Sequence, residues 1–399
     1  MEVFPKMTDI NSLYLKTCAL AVFRGVRDTA LFGCFEDFAN ACNIKEKRLA
    51  YGALVGEIYK NGASLAECLR RIVFEDENVF VKAIGTKRAI PEVVARAAEH
   101  ELSVLSELAS LTPEDFFEGM GQLKDESLPE FYSESVDLVT EYRRRTASIE
   151  RYGYGIFSSH GMFSVSDDGD IVPVLSADSI SIDSFVGYRE ERQKVLDNTK
   201  NFLDGKPSAN ILLYGDAGTG KSSTVKAVAN HYFDDGLRLI EIRKDQLLLL
   251  SRVMGRISDN PLKFIIFIDD LSFNGSDDDF SMLKATLEGS ACAKASNAVI
   301  YATSNRRHIV RESFADRDGG DVHRNDTLME TMSLSERFGL TVLFSKPDKK
   351  LYLEIVKELA ARRGIEIPTS ELETRAEAFA LKRGHRSARC AEQFVDGLC

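Results

Sequence analysis

The sequence lacks the patterns that mark zinc sites, disulfide-stapled domains and membrane spans. Its seven cysteines are scattered and no C-x-x-C pair occurs, so neither a cysteine metal site nor a disulfide framework is predicted. No apolar run approaches the length of about 18 residues that a membrane span needs. The first residues show no basic segment followed by an apolar core, so no secretory signal is expected. These absences predict a cytoplasmic protein with reduced thiols and no membrane association.

Basic residues are also fewer than acidic residues. The chain has 51 Lys and Arg residues against 62 Asp and Glu residues, which gives a formal net charge of -11. This balance argues against broad, sequence-independent binding to nucleic acid, although a local basic face remains open. A hydrophobic fraction of 44% over 399 residues is typical of a globular protein with two or three domains.

The sequence pattern divides the chain into four segments. Residues 1–145 show helical spacing of apolar residues and predict a helical N-terminal domain. Residues 146–184 are rich in Gly, Ser and Asp and suit a linker or a small hairpin. Residues 185–346 alternate strands with helices, which predicts an α/β core with a parallel five-stranded sheet and helices on both faces. Residues 347–399 predict a C-terminal helical lid.

The strand predictions rest on short, mostly apolar runs. They are Asn210–Tyr214, Leu237–Ile242, Phe264–Ile268, Ala298–Ser304 and Thr341–Phe344.

Residues 215–222 fit the phosphate-loop pattern G-x-x-x-x-G-K-[ST] and lie between a predicted strand and a predicted helix. In such a loop, backbone N–H groups curl around phosphates at a helix N-terminus. Lys221 would reach the β- and γ-phosphates, and the Ser222 hydroxyl would bind Mg²⁺. The residues expected to contact nucleotide are Asp216, Ala217, Gly218, Thr219, Gly220, Lys221, Ser222 and Ser223.

Two carboxylates follow the strand Phe264–Ile268. This is the pattern of a Walker B site, in which Asp269 would hold Mg²⁺ directly or through water. Asp270 stands where ATP-hydrolysing proteins often carry a glutamate that orients the attacking water, but its side chain is one methylene shorter. Helix capping after a strand is the structural alternative for both residues.

Polar residues after two later segments complete the pattern. Asn305 ends a strand and could hydrogen-bond the γ-phosphate or the lytic water, the sensor 1 role. Arg337 could project into a neighbouring subunit as an arginine finger. Arg306 and Arg307 are rival candidates for that finger, and a surface ion pair is the simpler interpretation of Arg337.

An arginine at the start of the last predicted helix could fold back onto the nucleotide, the sensor 2 role. Arg386 and Arg389 both have the required position. We prefer Arg386 as the sensor and expect Arg389 to contact nucleotide. A solvated basic helix turn is the alternative for both.

In this order, the motifs resemble the AAA+ ATPase superfamily. The segment from about 182 to 394 is similar to a family of mostly uncharacterised bacterial AAA-type ATPases that is known only as a domain of unknown function. The similarity rests on residues 185–188, 218–223, 269–273, 304–308 and 334–339. It implies ATP binding, Mg²⁺ dependence, hydrolysis and a ring-type or stacked homo-oligomer. It also implies that Val186 and Tyr188 lie near adenine.

We therefore predict a Mg²⁺-dependent AAA+ ATPase that acts on an unidentified protein partner through its N-terminal domain. One alternative is a nucleotide-dependent switch or scaffold with little hydrolysis. A small-molecule kinase or a GTPase is less favoured, since no N-K-x-D motif occurs, and a nucleic-acid loader or remodeller is disfavoured by net charge. Residues 246–255 lack the aromatic of a threading loop, which counts against an unfoldase.

Overall fold

The structure is a computed structural model that describes residues 9–117, 120, 128–175, 180–271, 273–274, 296–305, 310–311 and 337–398. The chain divides into two compact units. The first comprises Met1–Ser159 with Asp259–Pro261, and the second comprises His160–Ser258 with Leu262–Cys399.

The first unit is built from helices around one apolar core, as the sequence predicts. Several helices begin at a polar cap: the side chain of Asn43, for example, accepts a hydrogen bond from the N–H of Glu46 at 3.0 Å. The helices are α1 (Ile10–Thr17), α2 (Ala30–Asn40), α3 (Ile44–Tyr59), α4 (Leu65–Glu75), α5 (Val79–Gly85), α6 (Glu92–Ala109), α7 (Pro113–Phe117), α8 (Leu138–Ala147) and α9 (Ile149–Tyr152).

The second unit contains a seven-stranded sheet covered by helices. The strands run in the order β2-β1-β4-β5-β7-β3-β9, and among the described strand pairs only β1–β2 is antiparallel. A separate parallel pair joins β6 and β8. The strands are β1 (Met162–Val165), β2 (Ile171–Pro173), β3 (Ile211–Gly215), β4 (Leu237–Glu241), β5 (Lys263–Ile268), β6 (Phe273–Asn274), β7 (Ala298–Ser304), β8 (Val310–Arg311) and β9 (Leu340–Phe344).

The five predicted parallel strands are confirmed as β3, β4, β5, β7 and β9. In β5, residues 264–268 have no measurable exposure, as expected for a parallel strand that is covered on both faces. The sheet has two more strands than predicted, because the hairpin β1–β2 adds to the edge of β4: Met162 pairs with Leu239. This hairpin comes from the segment predicted as a linker or small hairpin.

Helices surround the sheet and form the predicted C-terminal lid. In the core they are α10 (Arg189–Leu203), α11 (Lys221–His231) and α12 (Leu250–Ile257). The lid contains α13 (Lys349–Arg362), α14 (Thr369–Arg383) and α15 (Ala388–Asp396), which share an apolar core of their own. Among the described helices, none has both the length and the apolar character that crossing a membrane requires.

Strand order sets the position of the candidate site. β3 lies between β7 and β9, and β5 lies beside β7. Because these strands are parallel, their carboxyl ends meet at one edge of the sheet. The loop after β3 and the polar residues after β5 and β7 therefore lie together, which is where α/β proteins bind ligands.

Candidate functional site

The loop between β3 and α11 has the backbone of a phosphate-binding loop. Gly215, Gly218 and Gly220 have φ angles of 133°, 75° and 89°, which residues with side chains rarely adopt. A Cβ atom on Gly215 would lie 2.1 Å from the carbonyl oxygen of Phe344, so this position admits no side chain. The helix α11 begins at Lys221, and its first N–H groups bring the positive end of the helix dipole to the loop.

Lys221 is held against the loop and is only 6% exposed. Its Nζ donates hydrogen bonds to the carbonyl oxygens of Gly215 at 3.0 Å and Asp216 at 2.7 Å, and to Oδ1 of Asn305 at 3.1 Å. Burial lowers the pKa of Lys221, and three nearby aspartates oppose that shift. The structure thus brings this ammonium group next to the residue predicted as sensor 1.

Ser222 and Asp269 form the pair that the sequence predicts for a metal. The Ser222 hydroxyl donates to Oδ1 of Asp269 at 2.6 Å. Hydroxyl and carboxylate oxygens suit Mg²⁺, which is usually held by one or two protein carboxylates together with water and substrate phosphates. Among the described residues, no cluster of three or more His, Cys, Asp or Glu residues could hold a metal alone. The residues present therefore fit a Mg²⁺ ion that arrives with a nucleotide.

Asn305 joins Lys221 to Asp270. Its Nδ2 donates to Oδ1 of Asp270 at 2.8 Å, and its own Oδ1 accepts from Lys221. Asp270 has a φ of 50°, in the left-handed region that asparagine and aspartate tolerate better than most residues. Direct hydrogen bonds therefore bring together Lys221 and Asn305, both predicted to contact the γ-phosphate, and Asp270, predicted to act on the attacking water.

A cavity of about 740 Å³ adjoins this loop. Its size is within the range of about 300–1,000 Å³ that small-molecule sites usually have. Gly218, Thr219, Gly220 and Ser223 of the loop and first helical turn line one part of the cavity, and Phe185, Val186, Ile355 and Leu359 line an apolar part. Charged residues also line it: Arg192, Arg362, Arg363, Arg389 and Glu392. The cavity thus offers a phosphate-binding wall and an apolar wall, the two surfaces that a nucleotide requires. Two other predicted contacts, Asp216 and Ala217, are exposed.

Val186 and Tyr188 have different positions although both were predicted near adenine. Val186 lines the cavity, whereas Tyr188 does not appear among the described lining residues. The Tyr188 hydroxyl donates to the carbonyl oxygen of Ser345 at 2.7 Å, and its ring packs on Phe344 at a centroid distance of 5.4 Å. Burial raises the pKa of Tyr188. This tyrosine therefore contacts the segment that leads from β9 to the lid.

Several residues of the cavity wall were not singled out as individual contacts in the sequence analysis, and Phe185 and Arg192 are two of them. Phe185 lines the cavity, and the guanidinium of Arg192 lies 4.9 Å from the centre of its ring. Arg192 is 6% exposed and donates to the carbonyl oxygen of Gly187. Burial lowers the pKa of Arg192 to about 10. An aromatic residue just before the V-G pair was the available signal for Phe185, but nothing in the pattern marked Arg192.

The two lid arginines have different surroundings. Arg386 donates two hydrogen bonds to Glu377 within the lid, at 2.9 and 2.7 Å. Arg389 lines the cavity, and its backbone N–H donates to the carbonyl oxygen of Gly218 at 3.2 Å. The start of α15 therefore touches the phosphate loop through Arg389 and not through the preferred sensor Arg386.

The predicted finger Arg337 lies three residues before β9 and is half-buried. It is not among the described residues that line the cavity. The rival candidates Arg306 and Arg307 lie outside the described residues.

Comparison with known proteins matches the second unit to one family. The model of the family described as "Protein of unknown function (DUF815)" matches residues 159–399. This match confirms the family resemblance predicted from the sequence motifs, and the observed fold agrees with the predicted resemblance to AAA+ proteins. A search of curated proteins found no match.

Solved structures that match part of this chain include the Holliday junction branch migration motor RuvB of Thermotoga maritima. It is 14% identical over 54% of this chain and 71% of its own, with a TM-score of 0.33. Two point variants of the same protein give TM-scores of 0.33 and 0.34, with the same identity and coverage.

Proposed function

We propose that this chain, which belongs to the family described as "Protein of unknown function (DUF815)", is a Mg²⁺-dependent ATPase of the AAA+ type. One observation carries the proposal. Lys221, Asn305 and Asp270 form a continuous hydrogen-bonded chain beside the Ser222–Asp269 pair. At one edge of the sheet, Lys221 would bind phosphate and Asn305 would act as the sensor. Asp270 would orient water, and Ser222 with Asp269 would hold the metal ion.

The two walls of the cavity support the proposal of ATP binding. The N–H groups of the loop and of the first turn of α11 would surround the β-phosphate, with Lys221 reaching the γ-phosphate. The base would lie between Phe185 and Val186 on one side and Ile355 and Leu359 of the lid on the other. Since those two lid residues would contact the base, binding of the nucleotide would bring lid and core together.

Hydrolysis would rely on positioning and charge neutralisation. Mg²⁺, when bound by Ser222 and Asp269, would neutralise charge on the β- and γ-phosphates. Asp270 would orient the attacking water, and Asn305 would hold the carboxylate of Asp270 in place and contact the γ-phosphate. We infer that Arg337 stabilises the transition state in a neighbouring subunit, which requires a homo-oligomer.

The lid and the segment that leads to it would respond to the nucleotide through two contacts with the phosphate loop. The backbone N–H of Lys346, two residues after β9 and just before the lid, donates to Oδ2 of Asp216 at 2.8 Å, and the backbone N–H of Arg389 in the lid donates to the carbonyl oxygen of Gly218. We propose Arg389 as the sensor 2 residue in place of Arg386. Movement of the lid would be passed on through the N-terminal helical domain to an unidentified protein partner in the cytoplasm.

The test combines binding, hydrolysis and sizing. We expect wild type to bind ATP with Mg²⁺ and to hydrolyse it. Lys221→Ala should lose binding, because the loop then has no cation for the phosphates. Arg337→Ala should bind ATP and hydrolyse it at least about a hundredfold more slowly. Light-scattering mass measurement with and without ATP checks the assembly. Wild type that remains monomeric with ATP at high concentration would remove the basis for the finger.

A switch that binds ATP and hydrolyses it slowly is a second candidate, because Asn305 already engages Oδ1 of Asp270. Single-turnover hydrolysis separates the two. A large loss of rate in Asp270→Asn supports catalysis by this carboxylate, whereas equal rates in wild type and variant support the switch.

A further inference from the structure

Thr303 holds both carboxylates of the site, although the sequence motifs assign it no role. It is the sixth of the seven residues of β7 and is 2% exposed. Its hydroxyl donates to Oδ1 of Asp269 and accepts a hydrogen bond from the N–H of Asp270 at 2.9 Å. Its carbonyl oxygen accepts from the N–H of Leu271 at 2.7 Å. One residue of β7 therefore contacts three successive residues after β5.

The first consequence concerns the two oxygens of Asp269. The hydrogen bonds from Thr303, from Ser222 and from the N–H of Asp270 all fall on Oδ1. Within the described parts of the chain, no hydrogen bond to Oδ2 is recorded. The Thr303 hydroxyl thus helps to set the rotation of this carboxylate and to leave Oδ2 for a metal ion or its water.

The second consequence concerns the backbone of Asp270. Its φ of 50° is a conformation that a residue with a side chain adopts only when its surroundings hold it there. The Thr303 hydroxyl holds the N–H of Asp270, and the Thr303 carbonyl oxygen holds the N–H of the next residue, Leu271. The backbone is therefore fixed both at Asp270 and directly after it. The resulting turn brings the carboxylate of Asp270 to Asn305.

Packing alone does not call for a hydroxyl at this position. Valine has the shape of threonine and favours a buried strand at least as well. A hydroxyl is useful here because it is both a donor and an acceptor, and the structure uses both capacities on the two candidate carboxylates.

We propose that Thr303 is a positioning residue that presents Oδ2 of Asp269 to the metal and aims Asp270 at the attacking water. This inference rests on the proposed ATPase function and adds to it a residue that acts through both carboxylates.

The test compares Thr303→Val with Thr303→Ser and with a matched control, Thr199→Val. Thr199 is also fully buried, and its hydroxyl bonds the Tyr301 hydroxyl and the carbonyl oxygen of Val195, each at 2.7 Å. The control therefore loses a buried hydroxyl from the same core without touching a carboxylate. The readouts are thermal unfolding, affinity for a fluorescent ATP analogue in EDTA and across a Mg²⁺ titration, and the ATP and Mg²⁺ dependence of hydrolysis.

We expect Thr303→Val to need about tenfold more Mg²⁺ than wild type for the half-maximal change in ATP-analogue binding and for half-maximal hydrolysis. Its kcat should fall about tenfold or more. This is the size expected for losing a hydrogen bond to a charged group. Its affinity in EDTA and its KM for ATP at saturating Mg²⁺ should stay within about twofold, well below the change expected from a lost charged contact. Thr303→Ser keeps the hydroxyl and should show the Mg²⁺ requirement and kcat of wild type. Thr199→Val should also show neither defect.

The outcomes separate this inference from the proposed function. If wild type binds ATP and Thr303→Val shows an unchanged Mg²⁺ requirement, the inference is wrong and the nucleotide site stands. Equal defects in Thr199→Val, or no rescue by Thr303→Ser, would also overturn it. If wild type binds ATP without hydrolysing it, the Mg²⁺ titration of ATP binding still tests the inference, since Thr303→Val should then need more Mg²⁺ than wild type. If wild type binds no ATP, both conclusions fall.

Discussion

Replacing Arg389 by alanine should weaken ATP binding far more than the same change at Arg386. Arg389 lines the cavity beside Gly218, Thr219 and Gly220, and its backbone N–H already bonds the carbonyl oxygen of Gly218. We therefore expect the Arg389 guanidinium to reach a phosphate that the loop holds. The sequence motif placed both arginines near a helix start and preferred Arg386, so this pair of variants tests the structure against that preference.

The contacts set the size of the two effects. A charge-assisted hydrogen bond contributes about 1.5–3 kcal/mol, and one such contact to phosphate corresponds to a loss of about 10- to 150-fold in affinity. Arg386 instead donates to Glu377 within the lid, where the side chains are 33% and 17% exposed. Losing a partly exposed pair of this kind has a small effect, and it would reach the nucleotide only through the lid. We expect less than about a threefold change in affinity for Arg386→Ala.

Equilibrium binding of a fluorescent ATP analogue with Mg²⁺ measures both variants directly. Arg389→Lys serves as the conservative variant and should recover part of the affinity, since it keeps the charge and loses the planar fork. Circular dichroism melts check that the lid is intact. The reasoning is refuted if Arg386→Ala binds ATP more weakly than Arg389→Ala, because the nucleotide would then be read by the residue that the structure ties to Glu377.

Three further predictions concern the stability of the helical domain, the metal pair and the phosphate loop. Glu101 is 6% exposed and accepts hydrogen bonds from the N–H groups of residues 21–23. Glu101→Gln should lower the free energy of unfolding by at least about 2 kcal/mol, because the NH₂ group of the new amide would face N–H donors. Glu107→Gln on the same helix, at an exposed ion pair, should stay within about 1 kcal/mol in the same urea titration. Ser222→Ala should bind ATP in EDTA like wild type and fail to gain affinity with Mg²⁺. Gly215→Ala should abolish ATP binding, since its Cβ would meet a carbonyl oxygen at 2.1 Å.

The sequence was sufficient to predict the elements whose pattern is local. The strand Ala298–Ser304 has the predicted bounds, and the helix Lys349–Arg362 lies in the predicted C-terminal lid. The helix start is marked by Asp348, whose side chain accepts from the N–H of Leu351. The place of the hairpin β1–β2 was not predictable in this way, because its attachment to β4 pairs residues that are more than seventy positions apart, for example Ser164 with Glu241.

The same distinction applies to the site. Lys221, Asp269 and Asn305 follow parallel strands that lie side by side, so their meeting followed from the strand pattern. Which lid arginine faces the cavity depends on one helix cap. Ser387 accepts from the N–H of Cys390 at 3.0 Å and starts α15. Arg386 therefore precedes the helix, and Arg389 lies in its first turn.

The short side chain of Asp270 and its backbone conformation explain each other. Glutamate is strained in the left-handed region, whereas aspartate tolerates it better because its short polar side chain can bond locally. The φ of 50° turns the chain so that an aspartate carboxylate reaches Asn305 without the extra methylene. A glutamate here would gain reach and lose the turn that gives the carboxylate its direction. The departure from the commoner glutamate is therefore part of the geometry at this site, and side-chain length alone is a poor guide to whether Asp270 can act on water.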